Sequence, residues 1–383
     1  MTVTVPQGFR AAGVAAGLKT TGNPDVALVV NDGPDDAAAA VFTTNRFPAA
    51  PVQWSRQVLS GGRLRAVVLN SGGANACTGP EGFADTHATA EHVAAELGIG
   101  AIDVAVASTG LIGVRLPMDK LLPGVTDAVA KLSGDGGTAA AQAIMTTDTV
   151  PKTTVQRGAG WTVGGIAKGA GMLAPSLATM LVVLTTDAVV PAEVLQRALA
   201  AATSVSVERV DSDGCLSTND TVLAMASGAS GVTPSEQELT AALTAAATDL
   251  AMQLLADAEG STKDIAITVR NAATVADALT AGRACARNNL LKTALFGNDP
   301  NWGRVLAAVG TTDAAFEADR VDVTINGVTV CRGGSIGDPR EGVDLSGRQI
   351  TIEVDLGAGS EQATIWTNDL SIAYVHENSA YSS

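Results

Sequence analysis

WTVGGIAKGAGMLAPSLATMLVVLTTDA, residues 161–188, carries the reading on which the fold turns. TMLVVLTT (179–186) is an apolar, β-branched run of strand length, and its lack of alternation predicts a strand buried on both faces. Upstream, Gly169-Ala170-Gly171-Met172-Leu173-Ala174 formally fits the GxGxxG/A spacing of a dinucleotide-binding turn. That turn must open a helix, yet Pro175 follows at once and the strand pattern starts at Thr179, so the match is one of spacing only. Thr179 itself is a hydroxyl residue behind the small residues Ala174, Ser176 and Ala178. If the Ala178–Thr179 bond were cut, Thr179 would carry nucleophile and base together, because a free α-amino group titrates near about 7.7–8.0. Spacing alone favours Thr179 as simply the first residue of a strand.

Outward from this stretch, strand-like runs alternate with Ala-rich helical ones. VALVV (26–30), LRAVVLN (64–70) and IDVAVAS (102–108) read as strands, and residues 81–97, 191–203 and 234–257 as helices. From about residue 320 the pattern becomes strand-rich, with a hairpin predicted at Asn326-Gly327. The expected architecture is therefore a layered α/β or α+β fold and not an all-α one. A length of 383 residues sets a prior of two to three domains, and no repeat or linker marks a boundary.

Composition narrows the function. A hydrophobic share of 46% excludes general disorder, and a charge of 24 − 39 = −15 has the wrong sign for nucleic acid or an anionic membrane surface. Three histidines (His87, His92, His376) and four separated cysteines (Cys77, Cys215, Cys285, Cys331) leave little material for a metal site, and no metal is expected. The cysteines are expected as small buried side chains of a reduced, cytoplasmic protein. The N-terminal residues lack a signal-peptide pattern, and the longest apolar stretch, 172–186, is interrupted by Pro175, so no membrane segment is expected. The same scarcity leaves the commonest nucleophile–base pairs poorly supplied.

Eight segments share a further pattern: LNSGGANACTG (69–79), STGLIG (108–113), IMTTDT (144–149), KGAGMLAPSLATML (168–181), DGCLSTNDTV (213–222), DAEG (257–260), KTALFGNDPNWGR (292–304) and ENSAYSS (377–383). In order and spacing they resemble the ornithine acetyltransferase (glutamate N-acetyltransferase) family of arginine biosynthesis. The resemblance implies a layered sandwich of the N-terminal-nucleophile, DmpA-like type. It also implies self-cleavage between Ala178 and Thr179, giving an α chain of 1–178 and a β chain of 179–383 in an α2β2 heterotetramer. Thr179 is then the nucleophile, which takes the acetyl group from N2-acetylornithine and passes it to glutamate.

By the same resemblance Thr109 and Gly110 form the oxyanion hole, Lys168, Glu259, Asn378 and Ser383 contact substrate, and one of Thr146 and Thr147 does so, without the pattern deciding which. A cation at Lys168 suits a carboxylate and would lower the α-amine's pKa, and Glu259 suits ornithine's δ-ammonium. Asp257 and Glu259, at the end of a predicted helix, oppose its dipole. No cofactor is implied, and acetyl-CoA enters as a second donor in some members. The 70–79 loop and residues 301–304 receive no chemical role, and Cys77 is expected to be buried and structural. A paralogue with a shifted acyl donor, an aminopeptidase-like hydrolase and an unprocessed amino-acid-binding protein are the competing readings.

Overall fold

Leu181–Thr186 is a strand in which all six residues are buried. Its side chains feed two cores. Leu181 and Val183 join Leu28, Val67 and Val106 on one side, while Val182 and Leu184 join Leu243 and Leu250 on the other. An apolar run without alternation is what two buried faces require. The computed structural model in which this is seen describes residues 2–173 and 180–380.

The strand lies at the centre of a five-stranded sheet, in the order Ala37–Phe42, Thr221–Ala226, Leu181–Thr186, Thr162–Lys168, Lys152–Arg157. It runs parallel to Thr221–Ala226 and antiparallel to Thr162–Lys168. A four-stranded sheet, Phe9–Val14, Val26–Asn31, Ala66–Ser71 and Val104–Thr109, shares a core with one face of it. Helices Ala192–Ser204 and Glu236–Ala256 pack on the other face. Helices Ala50–Val58, Gly79–Leu97, Met118–Ala130 and Gly137–Ala143 flank the four-stranded sheet, completing a layered sandwich. A six-stranded sheet from Asp264 onward builds a separate core with helices Val275–Ala286, Asn289–Phe296 and Trp302–Val309.

Local signals explain several boundaries. Helix Glu236–Ala256 begins at a reciprocal cap, in which Glu238 N donates to Ser235 Oγ (3.2 Å) and Ser235 N to Glu238 Oε2 (2.9 Å). The Asn326-Gly327 turn has both residues at positive φ (43° and 83°), as the hairpin expectation requires. Ala37–Phe42 (AAAAVF) is a strand in spite of its alanines, because it pairs along its whole length with Thr221–Ala226.

One expectation needs correction. Cys285 and Cys331 are buried, but Cys77 and Cys215 are exposed. Cys77 sits at positive φ (56°) in a loop shaped by backbone hydrogen bonding, where the side chain points where the turn leaves it. Among the described residues one helix, Glu236–Ala256, is long and apolar enough to cross a bilayer. Here Leu239, Leu243, Leu250 and Leu254 are buried in the second core.

Candidate active site

Val104–Thr109 ends at Thr109, and the chain then turns through Gly110 at φ +131°. A Cβ at Gly110 would lie 2.7 Å from Gly73 N, so only glycine fits both the dihedral and the space. The turn is clamped by residues of the 70–79 loop and of STND. Ser108 Oγ donates to Asn70 Oδ1 (2.6 Å), and Asn70 Nδ2 donates to Gly73 O (2.9 Å). Asn219 Nδ2 reaches both Ala74 O (2.6 Å) and Ser108 O (2.8 Å), and Gly73 N donates to Thr109 O (3.1 Å). This lattice of buried amides holds the Thr109-Gly110 turn in one geometry. The loop left without a role in the sequence reading thus braces this turn, and its clue was the density of Asn and Gly.

Lys168 is the last residue of its strand and stands opposite Leu181, two positions beyond Thr179. Its side chain is buried, and Nζ donates to Thr109 Oγ1 (3.2 Å). Burial lowers its pKa, with Asp148, Glu259 and Asp220 opposing and Lys152 reinforcing.

Beneath it lies a cluster that sequence reasoning missed. Lys152 Nζ bonds Asp148 Oδ1 (2.6 Å) and Asp257 Oδ2, and Gly169 N donates to Asp148 Oδ1 (2.7 Å). Burial pushes the Asp148 carboxyl up, but Lys168, Lys152 and the Gly169 N–H outweigh it and hold it at about 2. Thr149 donates to Asp257 through its backbone N (2.9 Å) and its hydroxyl. Asp257 does follow the C-terminus of its helix as expected, and the Lys152 ammonium offsets the adverse dipole.

Seven predicted residues line one cavity of about 80 Å³: Thr109, Gly110, Thr146, Thr147, Lys168, Glu259 and Asn378. The two threonines part roles here. Thr147 Oγ1 donates to Glu259 Oε1 (2.7 Å), whereas Thr146 N donates to Asp148 Oδ2 (3.0 Å). Gly171, part of the spurious GxGxxA match, has a local reason, since a Cβ there would lie 2.7 Å from Glu259 Oε2. Asn378 comes from the terminal helix Ile372–Ala380, with Nδ2 on Tyr374 O (3.0 Å). Ala178, Thr179 and Ser383 lie outside the described residues.

Their chain neighbours are anchored. Leu173 N donates to Asp213 Oδ2 (3.0 Å) and Met180 N to Asp220 Oδ1 (3.3 Å). Burial pushes the carboxyls of both Asp213 and Asp220 up. Lys292, from the KTALF segment, ties this loop to the third sheet by donating to Ser212 O (2.6 Å), Thr367 Oγ1 (2.9 Å) and Asn368 O; burial lowers its pKa to about 8. Asn301 caps the helix that begins at Trp302, its side chain accepting from Arg304 N.

The sequence pattern of the ArgJ family matches residues 10–383. The chain is 66% identical to the arginine biosynthesis bifunctional protein ArgJ of Streptomyces avermitilis, over all of both chains. It is 61% identical to the protein of that name from Mycobacterium tuberculosis, over all of this chain and 96% of the other. Among solved structures, the ornithine acetyltransferase of Mycobacterium tuberculosis complexed with ornithine matches at 64% identity over 47% of this chain and 96% of that one, with a TM-score of 0.45.

Proposed function

The chain belongs to the ArgJ family, and we propose how this ornithine and glutamate acetyltransferase of arginine biosynthesis performs its reaction. The Thr179 hydroxyl attacks the Ala178 carbonyl, and water hydrolyses the resulting ester to leave chains 1–178 and 179–383, which assemble as α2β2. The freed α-amine then serves as base for the same hydroxyl. Thr179 Oγ attacks the acetyl carbonyl of N2-acetylornithine, ornithine leaves, and the α-amine of glutamate attacks the acetyl-threonine. Both tetrahedral intermediates place their oxyanion at the Thr109 and Gly110 backbone. The Lys168 ammonium disfavours a second cation nearby and so keeps the α-amine a free base. Glu259, oriented by the Thr147 hydroxyl, receives ornithine's δ-ammonium, and Asn378 and Ser383 complete the pocket. No cofactor is used, and acetyl-CoA enters only as an alternative acetyl donor.

One observation supports this reading above the rest: seven residues from five separate motifs line a single small cavity, bordered by a chain whose next segment contains Thr179. The test is denaturing mass spectrometry of the protein mixed with N2-acetylornithine. Two fragments are expected, the one beginning at Thr179 carrying an acetyl group that glutamate removes. An intact chain, or a fragment that never acetylates, would sink the mechanism. A hydrolase would instead lose the acetyl group to water with no acceptor present.

Gly110→Ala probes the hole separately. Strain at φ +131° and the contact with Gly73 displace the backbone donor, so kcat should fall on the order of 100-fold or more, as for loss of an oxyanion donor. Steady-state kinetics with acetylornithine and glutamate decides it, and an unchanged kcat would remove Gly110 from the hole.

A further inference from the structure

Donor and acceptor carry opposite charges at their far ends, an ammonium on ornithine and a carboxylate on glutamate, and one site must receive both. The surroundings of the cavity suit the first. Two ammonium groups, Lys168 and Lys152, face three carboxylates, Asp148, Asp257 and Glu259. Lys152 is already bound to Asp148 and Asp257, and Lys168, bonded to Thr109 Oγ1, stands among the same carboxylates, whose charge a second substrate carboxylate would meet.

A cation stands next door. A groove of about 720 Å³ adjoins the cavity and shares Gly110, Thr146 and Thr147 with it. Of its described lining residues Lys19 alone is positively charged, and the single carboxylate, Asp148, is bound to Lys152 and to the N–H groups of Gly169 and Thr146. Lys19 is held in place. Buried Asp25 accepts hydrogen bonds from Ala16 N (2.6 Å), Leu18 N (2.6 Å) and Lys19 N (3.0 Å), fixing the loop. Lys19 Nζ, half-buried, donates to Pro24 O (2.8 Å) and to Met145 O (2.6 Å), the residue before Thr146. An ammonium has three N–H groups, so one is left for the groove. Burial lowers the pKa of Lys19, Asp25 and Asp148 oppose, and Lys168 lowers it further.

We propose that Lys19 receives the side-chain carboxylate of the glutamate acceptor, while Glu259 receives the ammonium of ornithine. The two ligands then swing their far ends to opposite sides of Thr146-Thr147. The assignment makes Lys19 a specificity residue for the second half-reaction, and it rests on the acetyl-transfer reading above.

Two variants and two assays test it. Lys19→Gln removes the charge and keeps donors for the Pro24 and Met145 carbonyls, and Lys19→Arg keeps both. Glutamate KM is measured in transfer from acetylornithine, and acetylornithine KM in acetyl exchange onto labelled ornithine, a reaction without glutamate. Lys19→Gln should raise the glutamate KM about tenfold and leave the exchange KM within about twofold, the loss expected for one charge-assisted hydrogen bond. Lys19→Arg should recover most of that loss. An equal rise in both KM values, or no rise for glutamate, would overturn the assignment. Wild-type protein inert in both assays would overturn the acetyl-transfer reading itself, and Lys19 with it.

Discussion

Thr179→Ala is expected to leave one 38.4 kDa polypeptide with no transferase activity. In the proposed mechanism one hydroxyl oxygen both starts the cut and carries the acetyl group, so both losses should appear together. Thr147 Oγ1 already donates to Glu259, and Thr109 Oγ1 accepts from Lys168. The exposed thiols, Cys77 and Cys215, are not among the residues that line the cavity. Loss of a nucleophile acting in concert with its base typically costs on the order of 10⁴-fold or more in kcat. Denaturing electrophoresis and an ornithine-release assay on the same preparation suffice. Normal turnover by the uncut variant would remove Thr179 from the chemistry, and a cut but inactive variant would separate processing from transfer.

The second large effect concerns stability. Lys152→Met strips a fully buried cation from between Asp148 and Asp257 and leaves two buried carboxylates facing each other. Breaking a buried pair in this way costs about 3–5 kcal/mol, a large part of a typical domain's stability. Urea unfolding at neutral pH should show the loss directly, and an unchanged midpoint would mean that the pair is not buried in solution. The same cluster fixes the acid behaviour. Asp148 is held at about 2 against an ordinary 3.8, so its folded-state pKa is depressed. The stability it contributes is fully present above about pH 4 and is lost as pH falls toward 2. Asp148→Asn should therefore be weaker than wild type at neutral pH and show a flatter decline between pH 4 and 2.

What the sequence revealed and concealed follows from distance along the chain. The central strand, the Asn326-Gly327 hairpin and the Ser235 cap are decided by neighbours within a few residues, and each is found where its local chemistry puts it. The site residues were reached through motif resemblance, not by derivation, because the cavity joins positions as remote as Thr109 and Asn378. The supporting groups carried no local sign. Lys152 meets Asp257 across 105 positions, Asn219 meets Ser108 across 111, and Lys19 meets Met145 across 126. A lone lysine or asparagine looks the same in sequence whether it faces water or anchors a loop. Cys77 misled for the same reason, since its exposure depends on a turn set by other residues.

The five-stranded sheet alternates in origin. Ala37–Phe42, Thr162–Lys168 and Lys152–Arg157 precede the Ala178–Thr179 bond, while the two strands between them, Thr221–Ala226 and Leu181–Thr186, follow it. A cut there yields two polypeptides braided through one sheet, with cross-chain ladders on both sides of the inner pair. Such fragments cannot part without dismantling the two cores that the central strand feeds, and neither owns the five-stranded sheet whole. On the proposed cut, the uncut chain is the mould in which this shared sheet forms, and separately made halves would have to rebuild its ladders between chains.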